Sequence, residues 1–157
     1  MAKNGYSMSN RVAVLEATDN VTLTADDCGK TILLNDGTNG LVLTLPSCAD
    51  AGAGWNCDIR IVASAASGKT YKISTAGATA TTDFFVGGLA MVSTDSVTAE
   101  CLSVASDGNS NDHINLTFQT KGGLVGGHIQ VVTDGTLWFV KGTVSGAGTL
   151  ETPFADS

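Results

Sequence analysis

From Val21 to Pro46 the chain reads VTLTADDCGKTILLNDGTNGLVLTLP. Three short apolar runs (Val21–Thr24, Thr31–Leu34 and Leu41–Leu45) are separated by two polar breaks, Ala25–Lys30 and Asn35–Gly40. In the third run Leu41, Leu43 and Leu45 alternate with Val42 and Thr44. A period of two puts the leucines on one face of a strand, because successive Cβ atoms point to opposite sides of a sheet. Asp36-Gly37 and Asn39-Gly40 tolerate the positive φ of tight turns, so the chain can reverse there. Pro46 has no N–H to offer a ladder and ends the third run. The stretch therefore predicts a β-meander as the seed of the fold.

The remainder keeps the same rhythm. Arg11–Ala17 reads as a short strand or a helical turn, with Val12 and Val14 favouring the strand, and Ser47–Gly54 (SCADAGAG) as one helical turn opened by a serine cap. Trp55–Ala63 directs Ile59, Ile61 and Ala63 to one face and Asp58 and Arg60 to the other. Thr70–Ser74 turns Tyr71 and Ile73 inward, and Phe84–Val92 is broken by Gly87-Gly88, the mark of a bulge or a close backbone approach. Val97–Ala105 changes phase at Cys101-Leu102, as a strand buried on both faces or bulged would, and Cys101 is read there as a small buried hydrophobe. After the turn Ser106–Asp112, the run His113–Gln119 places Ile114, Leu116 and Phe118 inward. His128–Thr133 and Leu137–Thr143 form a hairpin about Asp134-Gly135, with Trp138 and Val140 on one face. The tail Ser145–Ser157 is expected to lie over the surface, anchored at Pro153-Phe154. About ten short strands at even spacing predict an all-β chain, a single antiparallel β-sandwich or barrel.

At 157 residues the chain fits one domain, taken as 11–157 and preceded by a flexible N-terminal arm, 1–10. The arm, MAKNGYSMSN, has no periodicity, and Tyr6 and Met8 are its only large apolar groups besides the initial methionine. It reads equally as a disordered terminus and as a segment that orders on a partner. On the second reading Tyr6, Met8 and the adjoining Arg11 are the candidate partner-binding residues. The N-terminus lacks the apolar core of a secretory signal, and no run approaches the roughly 18 apolar residues that a spanning helix needs. A soluble protein made in a cytosol is the expectation, with no membrane partner.

Eight basic residues against 15 acidic ones give a net charge of −7. Nucleic-acid affinity comes chiefly from clustered Lys and Arg, and here the two arginines, Arg11 and Arg60, and the six lysines are scattered. No nucleic-acid partner is expected. The four cysteines, Cys28, Cys48, Cys57 and Cys101, show no CxxC spacing; Cys48 and Cys57 could bridge across a Gly-rich loop, but free thiols are the expectation for a cytosolic product. His113 and His128, the only histidines, fall on the solvent face of predicted strands, too few for a zinc site. Gly29–Thr31 and Gly68–Thr70 both read Gly-Lys-Thr, but the earlier glycine of a phosphate loop is missing and both segments open strands, so both are read as turns. Asp26-Asp27 sit side by side in sequence, where strand geometry would make them diverge, and are read as caps of the turn before Cys28. The sequence thus predicts no catalytic residues, no cofactor and no metal, and a protein that is not an enzyme.

Taken in order, CGKTILLND (28–36), LVLTLPS (41–47), AGAGW (51–55), FFVGGLAMV (84–92), KGGLVGGHIQVV (121–132) and GTLWFVKGTVSG…TPFA (135–155) resemble small virion proteins of tailed bacteriophages. In such proteins a polar turn opens a strand, an L-x-L-P strand ends in an Ala/Gly turn, and a Trp-containing strand closes the domain. The resemblance implies an all-β homotrimer acting as a capsid decoration (cement) protein on the outer surface of the virion, with the major capsid protein as partner. The alternative it implies is a tail-fibre or receptor-binding module that recognises a host surface glycan.

Overall fold

The first six strands of the chain alternate between two sheets. In a computed structural model, which describes residues 12–77, 82–97 and 99–156, these are β1 (Val14–Ala17), β2 (Val21–Thr22), β3 (Thr31–Leu34), β4 (Leu41–Thr44), β5 (Asn56–Ile61) and β6 (Thr70–Ser74). β3 lies parallel between β1 and β5, whereas β4 lies parallel between β2 and β6. Each strand therefore crosses to the other sheet and the next one returns beside its predecessor but one, so the chain winds as stacked two-strand coils. The meander expected of Val21–Pro46 does not form. Its three runs become β2, β3 and β4, of which β2 and β4 pair with each other while β3 belongs to the opposite sheet. The turn residues work as expected, but they carry the chain across the core instead of folding it back on itself.

The second half is built differently. β7 (Phe85–Ser93), β8 (Cys101–Ala105), β9 (His113–Thr117), β10 (His128–Thr133), β11 (Trp138–Gly146) and β12 (Phe154–Ala155) complete a seven-stranded sheet ordered β1-β3-β5-β10-β11-β7-β8 and a five-stranded sheet ordered β12-β9-β6-β4-β2. The pairs β5–β10, β10–β11, β7–β8, β6–β9 and β9–β12 are antiparallel, and β7–β11 is parallel. The fold is nearly all-β, as expected, but both sheets are mixed and neither closes into a barrel. A purely antiparallel arrangement fails because the coiled first half can only stack its strands in parallel.

Local chemistry explains where the elements begin and end. The helix α1 (Cys48–Ala51) is one turn long, as Ser47–Gly54 predicts, and Ser47 Oγ caps it by accepting from Asp50 N at 3.1 Å. Its Cys48 N–H donates to the Asp83 carboxylate, and Asp83 sits at φ +64, in the left-handed region that Asp tolerates better than most residues. A 3-10 turn at Ala25–Asp27 joins β2 to β3. There Asp27 accepts from Thr24 N (2.7 Å), Thr24 Oγ1 (3.0 Å) and Lys30 Nζ (2.7 Å), so it caps the turn as anticipated. Lys30, the lysine of the first Gly-Lys-Thr, is thereby engaged in structure.

Inward side chains of both sheets form one hydrophobic cluster that includes Ile32, Leu34, Leu41, Leu43, Ile59, Tyr71, Ile73, Ile114, Leu116, Val131 and Trp138. The inward residues expected of β5, β6, β9 and β11 are those observed except Ala63, which lies past the end of β5 and is half-buried outside the cluster; Phe118 is half-buried against it. Trp55 meets Trp138 edge to face, with centroids 5.3 Å apart at 82°. Gly87, at φ +114, permits the expected close approach: a Cβ there would stand 2.2 Å from Val140 O. The tail is anchored as foreseen, with Pro153 and Phe154 buried and β12 paired to β9. β8 departs from expectation. It is an edge strand with Leu102 and Val104 half-buried and Cys101 exposed, so the phase change reflects a strand covered on one side only.

Candidate functional site

The candidate partner-binding residues Tyr6, Met8 and Arg11, and the arm 1–10, lie outside the described residues. Candidate surfaces are therefore built from what the two sheets turn outward.

On the seven-stranded sheet, the strict alternation of β5, β10 and β11 sends Asn56 and Asp58, Gln130 and Val132, and Phe139 and Lys141 to the outside. Register sets them in two rows. Asn56, Val132, Phe139 and Val86 lie across β5, β10, β11 and β7, and Asp58, Gln130, Lys141 and Gly88 lie in the row beside them. The six residues from β5, β10 and β11 border an open concavity of about 430 Å³. Phe139 is 44% exposed and Val132 42%, directly opposite one another. Two apolar side chains side by side in water forgo the stabilisation that burial brings, roughly 25 cal/mol per Å².

Beside this ridge stands a charged cluster. His128 Nε2 contacts Asp58 Oδ1, and Arg60 donates to Asp58 Oδ2 from Nε (3.0 Å) and Nη2 (2.9 Å). Adjacent strands in register bring these groups together, since His128 faces Arg60 across the β5–β10 ladder. The strand alternation places both histidines on solvent faces. For His128, 38% exposed, that holds, although its meeting with Asp58 depends on a strand pairing that spacing did not reveal. His113 is a correction: its side chain is only 12% exposed, and β9 is not an edge strand there, since β12 pairs beside it with Ala155 opposite His113. Its Nδ1 lies 2.8 Å from the buried Asp112 Oδ1, without directed hydrogen-bond geometry.

The outward face of the five-stranded sheet has a different character. Val42, Lys72 and Asn115 form one row across β4, β6 and β9, and Thr70 and Thr117 pair in the next. Asn20 and Lys121 reach in from connections, and a cleft of about 630 Å³ lies among them. Asn20 Oδ1 accepts from Val42 N at 2.7 Å, which fixes the carboxamide and leaves its NH2 free to donate. Lys121 Nζ stands 4.0 Å from Glu151 Oε2, and among the described residues no carboxylate pairs with Lys72. Sequence reasoning passed over this group because its members come from five separate segments with no shared motif. The outward positions of β6 and β9 were the available signal.

The four cysteines are unpaired, as expected. Burial pushes the Cys48 thiol up to about 12 and raises Cys57 further, so both are inert; Cys28 and Cys101 are exposed. Among the described residues no group of three or more His, Cys, Asp or Glu is placed to hold a metal ion, and no helix is long and apolar enough to cross a membrane. No protein-family model, no curated protein and no solved structure matches the chain.

Proposed function

We propose that this protein is a non-enzymatic decoration (cement) protein of a tailed-phage virion. On this reading its two sheets pack as a sandwich, and it sits on the outer capsid surface as a homotrimer bound to the major capsid protein. The carrying observation is the apolar row Val132–Phe139, exposed on the outward face of the seven-stranded sheet and rimmed by Asp58, Gln130 and Lys141. An apolar centre with a polar rim is the composition of a protein–protein contact. The order of motifs along the chain, which resembles virion proteins, supplies the identity of the partner. Bridging several capsomers would let modest contacts of this size add through effective concentration. The arm 1–10 would contribute a second contact that forms on the assembled shell, with the fold-on-binding cost of roughly 1–2 kcal/mol per ordered residue offset by what it buries.

The test is co-sedimentation with capsids that lack the protein, beside a pull-down on host cells. The intact chain is expected to bind assembled shells, and Phe139→Asp to lower occupancy about tenfold, within the range for a central aromatic contact. Deleting residues 2–10 is expected to lower occupancy while leaving the β domain folded. Binding to cells but not to shells would overturn the decoration reading in favour of a receptor-binding module. Light scattering of the free protein tests the trimer.

A further inference from the structure

The outward face of the five-stranded sheet carries a feature that shell binding does not use. In a chain of net charge −7, the cleft there gathers two ammonium groups, Lys72 and Lys121, with three carboxamides, Asn20, Asn39 and Asn115, and two hydroxyls, Thr70 and Thr117. We propose that this cleft binds a saccharide bearing an anionic group.

Three observations carry the assignment. The first is size: about 630 Å³ falls within the roughly 300–1,000 Å³ usual for small-ligand sites. The second is charge. The Lys72 ammonium has no carboxylate partner among the described residues, and Lys121 has only the distant, exposed Glu151, so an acidic protein leaves two cations aimed at one space. The third is the kind and spacing of the neutral groups. Lys72 and Asn115 stand opposite each other in the β6–β9 ladder, and Thr70 and Thr117 stand opposite in the next outward row. Two residues along a strand separate the rows by roughly 7 Å, the scale of a sugar ring with its hydroxyls. Carboxamides and hydroxyls both donate and accept, which suits a ligand whose own groups do both.

Competing occupants fit less well. An extended nucleic acid would need a longer cationic track and aromatic faces for its bases, whereas here Tyr71 points into the core and its hydroxyl donates to Ala63 O at 2.8 Å. A protein partner would want an apolar centre, and Val42 is the main apolar side chain turned outward on this face. The proposal is independent of shell binding, because the two use different sheets.

The experiment is titration calorimetry of the full chain with four probes: a galacturonate trisaccharide, a sulfated heparin disaccharide, neutral maltotriose and inorganic phosphate. At least one acidic saccharide is expected to bind saturably, while maltotriose and phosphate do not. Lys72→Gln is expected to weaken that binding about tenfold or more, as loss of a charge-assisted contact does, with Asn115→Ala weakening it less. Both variants change outward side chains and should keep the parent melting temperature; if Lys72→Gln does not fold, Lys121→Gln gives the same reading. Silence of both acidic probes, equal binding of maltotriose, equal binding of phosphate, or an unchanged affinity in the lysine variant would each overturn the proposal. None of these outcomes alters sedimentation with capsids.

Discussion

The two sheets bury their inner faces by the same rule and spend their outer faces differently. On the seven-stranded sheet the outward positions of β10 and β11 hold Val132 and Phe139 beside an Asp58–His128–Arg60 cluster. On the five-stranded sheet the equivalent positions of β6 and β9 hold Lys72, Asn115, Thr70 and Thr117. Folding demands only that one face of each strand be apolar. The outward residues are therefore free of that constraint, and their contrast is where function can be read. One face suits a protein surface, the other a polar, anionic ligand.

The largest expected effect tests whether the apolar face rests on a rigid platform. A Cβ at Gly142 would stand 2.2 Å from His128 O and 2.8 Å from Ile129 Cα, both backbone atoms of the neighbouring strand. Gly142→Ala is therefore expected to cost about 3 kcal/mol or more, or to prevent folding. A denaturant midpoint equal to the parent's would break the picture of β10 and β11 locked at this spacing.

The next test asks whether the faces act separately. Phe139→Asp and Lys72→Gln should each leave stability within about 0.5 kcal/mol, as exposed substitutions usually do. Each should lower only its own binding, capsid or saccharide, about tenfold, and the double variant should show both losses unchanged. Cross-effects, read by sedimentation and calorimetry, would show that the two faces are coupled.

A smaller effect concerns the connection that carries the chain from one sheet to the other. Burial alone would raise the Asp27 carboxyl, but hydrogen bonds from Lys30 and from the Thr24 N–H and hydroxyl outweigh it and hold the group below its usual range. A depressed pKa stabilises the fold above the unfolded value, about 3.9. That contribution is lost as pH falls through the folded pKa. Asp27→Ala is expected to cost about 1 kcal/mol near neutrality, as loss of a cap does, and to flatten this part of the acid limb below about pH 4. An unchanged thermal midpoint at pH 7 would contradict the role given to Asp27.

The smallest effect is a null one in stability. With four unpaired cysteines, a reducing agent should leave the melting temperature unchanged, whereas losing a native disulfide costs about 2–5 kcal/mol. A thiol reagent at mild pH should label Cys28 and Cys101 in the native protein and reach Cys48 and Cys57 only after unfolding. Rapid labelling of all four would mean that the core beside α1 and β5 opens readily.

Much of the fold was legible because it is local. The period-two pattern identified the inward residues of β5, β6, β9 and β11, and Asp134-Gly135 marked the β10–β11 hairpin, where Asp134 Oδ1 accepts from Thr136 N and Leu137 N. The pattern misled at β8, since an edge strand and a strand buried on both faces can share a mixed phase. It also misjudged His113, whose side chain is only 12% exposed and whose strand neighbour β12 lies some forty residues away. Neither candidate surface could be read along the chain. Asp58 and His128 meet across a ladder, and the cleft draws Asn20, Lys72, Asn115 and Lys121 from separate elements and connections.

By itself, then, the sequence determined that the chain forms short strands with one apolar face, where it turns, and that its cysteines need not pair. Those properties depend on side-chain alternation and on backbone preferences within a few residues. Only the tertiary structure decided which strands pair and in what direction. A Gly/Asn/Asp turn permits either a hairpin or a crossing to the opposite sheet. After β2 and β3 the crossing prevails, because the alternating coil lets β1, β3 and β5, and β2, β4 and β6, bury both sets of leucines and isoleucines against one another in a single core.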